Sequence, residues 1–81
     1  MQQIKDLLNQ IRWDKRKKPE EYSVHYFDRV KKGLMEIKYN GIKRLEGTFM
    51  VIEKNSEETS IPLHRVRQVR RNGKLVWERR A

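Results

Sequence analysis

The segment Pro62-Leu63-His64-Arg65-Val66-Arg67 sets one imidazole and two guanidinium groups close together, and Arg70, Arg71 and Lys74 follow within seven residues. Guanidinium groups pair bidentately with phosphate oxygens. An imidazole can donate to the same oxygens or move a proton near neutral pH. The irregular spacing of Leu63, Val66 and Val69 falls where this charge is densest. It points to His64, Arg65 and Arg67 as anion-facing groups rather than rim charge. A second candidate is Asp28-Arg29, at the end of a strand-like run. It reads as a structural ion pair or turn-forming Asp, or as Arg29 aimed at a ligand with Asp28 orienting it. Four consecutive cations, Lys15, Arg16, Lys17 and Lys18, read as a solvated loop or as a flexible arm that grasps phosphates. His25 is a lone histidine inside a strand, and a packed or solvent-facing role suits it.

Catalysis has little support. The two histidines lie far apart in sequence, and general acid–base chemistry needs both within reach of one substrate. There is no cysteine, and the His and carboxylate pattern is too sparse for a metal site. No Gly-rich phosphate loop or nucleophile motif is present. The expectation is no catalytic residue, no metal and no cofactor.

The chain has 81 residues, a net charge of +9, 38% charged and 36% apolar residues. That bounds it to one domain, residues 1–81, with a small core. The high Lys, Arg and Glu content also suits a heat-adapted protein. No segment offers the ~20 apolar residues of a membrane span, and "MQQIKDLLNQ" lacks a secretory apolar run. A cytoplasmic protein, monomeric or weakly dimeric and without membrane partner, is expected. The charge is uneven. Residues 1–18 carry net +4, residues 19–63 net −1 and residues 64–81 net +6. Two basic ends around a balanced middle favour a polyanion partner, most often a nucleic acid.

The elements that must position these groups are legible in part. Ile4, Leu7, Leu8 and Ile11 mark an amphipathic helix with Trp13 at its end; Trp13 and Trp77 read as core anchors, with base-stacking platforms as the alternative. "EYSVHYFDRV" alternates as a strand, with Tyr22, Val24 and Tyr26 on one face. If that face were open, Tyr22 and Tyr26 could stack on bases. "LMEIKY" and "GTFMVIEK" read as further strands, and "NSEETS" as a surface loop. A bulge or helical turn is expected around Pro62–Val66. Asn72-Gly73 is a two-residue hairpin signal. It sets Val69 opposite Val76, Gln68 opposite Trp77 and Arg67 opposite Glu78. The fold class is α+β: one N-terminal helix on a small curled antiparallel sheet or partial barrel of 4–5 strands, ending in the Asn-Gly hairpin.

"IKDLLNQIRWD", "YFDR" and "IPLHRVRQVRRNGKLVWER", in that order, resemble the RNA cyclic-group-end recognition domain, a family of small, largely archaeal proteins. The resemblance spans nearly the whole chain and is loosest over residues 34–60. The family's strand motif usually reads Tyr-Glu-Asp-Arg, and Phe27 stands here in place of the Glu. His25 stands where the family usually has a small residue. The resemblance implies recognition of RNA termini bearing a 2′,3′-cyclic or other terminal phosphate, in RNA processing or repair. It implies Asp28, Arg29, His64 and Arg65 as ligand-facing residues, and Trp13 and Trp77 as scaffold. RNA is the expected partner, with the ribosome or RNA-processing enzymes beside it. Lys15, Arg16, Lys17, Lys18, Arg70, Arg71 and Lys74 would contact the RNA backbone, while Arg29, His64, Arg65 and Arg67 hold the phosphate. Two alternatives stand beside this non-catalytic reading. One is an RNA phosphodiesterase using His64; the other is a ribosome- or protein-docking adaptor.

Overall fold

The computed structural model describes residues 3–79; Arg80, counted above with the basic end, lies outside the described residues. The helix α1, Ile4–Trp13, presents Ile4, Leu7, Leu8 and Ile11 to the interior. Asp6 in its first turn and Arg12 in its last complement the helix dipole. The seven strands are β1 (Tyr22–Asp28), β2 (Gly33–Lys38), β3 (Ile42–Glu46), β4 (Phe49–Lys54), β5 (Glu57–Pro62), β6 (Val66–Arg71) and β7 (Lys74–Glu78). Three 3-10 turns, Pro19–Glu21, Tyr39–Gly41 and Leu63–Arg65, join parts of this frame.

The architecture is α+β, with two antiparallel sheets rather than one. A four-stranded sheet runs β2-β1-β6-β7, and a three-stranded sheet runs β3-β4-β5. The expectation of 4–5 strands fell short because two strands were hidden. β5 lies in the stretch read as a loop, and β3 has its two apolar residues, Ile42 and Leu45, spaced by three. A register shift between Ile42 and Arg44 explains that spacing, since a bulge breaks the alternation of faces.

One core serves both sheets and the helix. It joins Leu8 and Ile11 of α1 to Tyr22, Val24 and Tyr26 of β1, Met50 and Ile52 of β4, and Val66 and Val69 of β6. Tyr22 and Tyr26 are therefore buried, and no open face is available for them to stack on bases. The Tyr39 hydroxyl donates to the Leu8 carbonyl oxygen at 2.7 Å, tying the turn after β2 to the middle of α1.

Strand β6 carries the irregularity expected near Pro62–Val66. Leu63–Arg65 forms a 3-10 turn. In the pairing with β1, His25 faces Gln68 but Tyr26 faces Val66. Arg67 is thus the extra residue of a bulge. That lets Val66 and Val69, three apart, both reach the core, and it turns Arg67 out to solvent.

Across β6 and β7, Arg71 faces Lys74 and Arg70 faces Leu75, but then the register slips, so Val69 faces Trp77 and Gln68 faces Glu78. The register expected from sequence is corrected beyond Leu75. The slip lets Trp77 turn inward to 8% exposure and leaves Val76 out at 47%. Burying an indole in place of a valine removes more apolar area from water. Asn72 and Gly73 between the strands have φ of 51° and 82°, the left-handed region that Asn and Gly tolerate best.

Trp13 is also corrected. It is 76% exposed, not a core anchor. At 3.6 residues per turn it lies about 200° around the helix from Ile11, off the apolar stripe.

Candidate nucleic-acid interface

The 3-10 turn before β6 divides the predicted cluster between two cavities. Arg65 lines one, of about 280 Å3, together with Asp28, Arg29, Lys54, Thr59 and Ser60, over an apolar floor that includes Tyr26, Phe27 and Ile61. His64 lines another, of about 370 Å3, with Lys5 of α1, Thr48, Leu63 and Arg79. Two sequence candidates, Asp28-Arg29 and Arg65, are thus brought to one cleft, while His64 sits on the far side of the turn. Arg67 stands on the bulge, exposed.

Asp28 has a local duty in its cleft. Its Oδ1 accepts the Val30 N–H at 2.8 Å and the Lys31 N–H at 3.2 Å, which folds the loop from β1 to β2 around the carboxylate. The Lys31 N–H is the main reason its pKa is held below the usual value, with the Val30 N–H and the nearby Lys54 ammonium acting in the same direction. The carboxylate is therefore ionised at neutral pH. Three cations, Arg29, Lys54 and Arg65, share the cleft with it. The loop-forming reading of Asp28 agrees with this geometry, and Arg29 follows directly on the loop it builds.

Lys54, Thr59 and Ser60 escaped the sequence reading. The signal available was "MVIEKNSEETSI". Asn55 and Ser56, both at positive φ, form a two-residue connection between β4 and β5, and Lys54 faces Glu57 across it. Reading that stretch as a hairpin brings hydroxyl side chains of β5 beside the strand that carries Lys54.

The backbone-contact candidates fall into engaged and open groups. Arg16 is held by Asp14, which accepts its backbone N–H at 2.9 Å and its Nε at 3.2 Å. Arg71 reaches the Glu21 carboxylate at 2.9 Å and lies over the Tyr22 ring. Arg70 donates to the Gln68 side chain and to the Gly73 carbonyl. Lys15, Lys18, Arg67 and Lys74 are exposed. Together with Lys17 they make no ion pair among the described residues.

The two basic ends meet at Glu21. The Asn72 N–H donates to the Glu21 carbonyl at 2.8 Å. The Glu21 carboxyl is held below its usual range chiefly by Arg71, then by the Asn72 side chain, with Lys18 adding a smaller pull. The cationic loop after α1 is thereby fixed beside the β6–β7 turn. His25 lies elsewhere, 3.4 Å from Glu36 on the outer face of the four-stranded sheet, and it lines neither cavity. No group of three or more His, Asp or Glu that could hold a metal ion occurs among the described residues. No helix among them is long and apolar enough to cross a membrane.

Comparison with known proteins fits this picture. The family model described as MJ1316 RNA cyclic group end recognition domain matches residues 1–79. A UPF0248 protein of Metallosphaera sedula is 42% identical over 78 residues, covering 96% of this chain and 94% of its own. UPF0248 proteins of Saccharolobus islandicus, 39% identical, and Saccharolobus solfataricus, 34% identical, cover 94% of this chain and 98% and 95% of their own. No solved structure matches. The chain belongs to the MJ1316 RNA cyclic group end recognition domain family, whose description names a recognition domain and not an enzyme.

Proposed function

Given that family, we propose that the protein is a non-catalytic RNA-binding module that takes the phosphate-bearing end of an RNA into the cleft of Arg29, Lys54 and Arg65. The observation that carries this reading is the cleft itself. It gathers three cations and two hydroxyl side chains around a single carboxylate, and that carboxylate is already occupied by backbone N–H groups. A terminal phosphate would meet three cationic donors against one carboxylate whose Oδ1 is turned to its own loop. The apolar floor suits a ribose or base beside the phosphate. Arg67, Lys74, Lys15, Lys17 and Lys18, with the partly engaged Arg16, Arg70 and Arg71, would guide the rest of the strand through its backbone charge. His64, with Lys5 and Arg79, would offer a second anion contact.

The reading is tested by binding one short RNA prepared with a 2′,3′-cyclic phosphate, a 3′-phosphate or a free 3′-hydroxyl. A preference of about tenfold or more for a phosphorylated end, equivalent to about 1.4 kcal/mol, supports the cleft as an end-binding site. Equal affinities for all three ends would reduce the protein to a general polyanion binder. Conversion of the cyclic phosphate by wild type, lost in His64→Ala, would overturn the non-catalytic reading in favour of a phosphodiesterase.

A further inference from the structure

Trp13 is the structure's most conspicuous unused group. The chain has two tryptophans and a small apolar supply. One, Trp77, is buried with Arg79 over its ring. The other stands 76% exposed at the end of α1. The helix stripe is complete without it, so packing does not account for its place. Single exposed apolar residues are ordinary on protein surfaces, and exposure alone would carry nothing. The surroundings carry the argument.

The Arg12 guanidinium carbon lies 5.6 Å from the Trp13 ring centroid, covering one face of the indole and restricting its orientation. The high exposure leaves the other side to solvent. Asp14, the next residue, is engaged by Arg16 through the backbone N–H and the guanidinium. The Lys17 N–H donates to the Asp14 carbonyl at 3.0 Å. A compact turn is thereby folded against the helix end, its one acid is engaged by Arg16, and Lys15, Lys17 and Lys18 follow the indole within five residues. An exposed, cation-backed aromatic ring followed closely in the chain by lysines that make no ion pair among the described residues is a combination suited to single-stranded nucleic acid. The ring accepts the face of a base, and the cations hold the adjoining phosphates.

We infer that Trp13, backed by Arg12 and flanked by Lys15, Lys17 and Lys18, is a stacking platform for an unpaired nucleobase of single-stranded RNA. This rests on the RNA-binding reading but adds a base-contacting site remote in sequence from the Arg29–Arg65 cleft. Stacking tolerates any base, so the platform favours unpaired strands over duplex without reading sequence.

The test compares wild type, Trp13→Ala and Trp13→Phe on a short single-stranded RNA and on an abasic strand of equal charge. Trp13→Ala should weaken RNA binding by about tenfold and leave abasic binding unchanged. Trp13→Phe should stay within about threefold of wild type, since a phenyl ring still stacks. In a Trp77→Phe background the remaining Trp13 emission should be quenched by the RNA and not by the abasic strand. Equal RNA binding by wild type and Trp13→Ala would overturn the platform while the cleft reading stands. So would an equal loss on the abasic strand, or quenching by an acidic peptide as strong as by RNA. Failure of wild type to bind any RNA would overturn both readings.

Discussion

In the three-stranded sheet, Lys43 lies 3.1 Å from Glu53 and 3.7 Å from Glu58, and Arg44 binds both Glu46 and Glu58. Glu58 is held below its usual pKa chiefly by Arg44, and Arg44 is pushed above its own by Glu58 and Glu46. Lys15, Lys18, Arg65, Arg67 and Lys74, by contrast, make no ion pair among the described residues. The contrast is between cations that hold strands together and cations left available. Net charge alone does not distinguish the two uses. The pairing does, and it locates the surface at which an added anion would meet the least competition.

The sharpest break of this comparison is Arg65→Ala. It should weaken RNA binding by about 1.5–3 kcal/mol, the usual value of a charge-assisted contact, with little change in melting temperature. Unchanged affinity in the folded variant would remove Arg65 from the site. Arg44→Ala should do the reverse, lowering the melting temperature modestly while leaving RNA affinity in place.

The β6–β7 turn offers a control within the basic region. Asn72→Ala places a Cβ-bearing residue without a compensating side chain at φ 51°. Denaturant unfolding should show a loss of about 1 kcal/mol, with RNA affinity kept. A binding defect at unchanged stability would mean that the turn itself contacts RNA.

The smallest effect expected is in the pH dependence of the paired carboxylates, Glu58 in the three-stranded sheet and Glu21 beside Arg71. Glu58 and Glu21 both have folded pKa values below the ordinary 4.5. Their contribution to stability is present above that value and fades as pH falls through the lower folded values. Thermal melts across the acidic range should therefore show a declining melting temperature. Glu58→Gln should flatten part of that decline and lower stability at neutral pH. An unchanged acid limb would mean that the ladder across β3, β4 and β5 contributes nothing measurable, as many exposed pairs do.

How much of this was legible depended on how local the cause was. The helix stripe and the alternation of Tyr22, Val24 and Tyr26 were readable because they obey a fixed period within a few residues. The three-residue spacing of Val66 and Val69 correctly announced an irregular backbone. Strands β3 and β5 were not readable, because a bulge broke one pattern and Ser, Thr and Glu mask the other. The splitting into two sheets rests on β1 pairing with β6, a long-range choice that no local period records. The same limit applies to the site. Arg29 and Arg65 could each be singled out by residue type, but their meeting with Lys54 depends on the β4–β5 pairing. The separation of His64 from Arg65 follows from the 3-10 turn, which sends neighbouring side chains to different cavities. Trp13 was misplaced because its residue type suggested core, although its position off the stripe already argued otherwise.

The most direct measurement is the salt dependence of RNA affinity for wild type, Arg65→Ala and Arg44→Ala. Each lost phosphate contact should lower the steepness of the log K against log salt plot by about 1. The account predicts that reduction for Arg65→Ala and a line parallel to wild type for Arg44→Ala. Equal slopes for wild type and Arg65→Ala, or a change in Arg44→Ala as large as in Arg65→Ala, would contradict the division between open and paired cations.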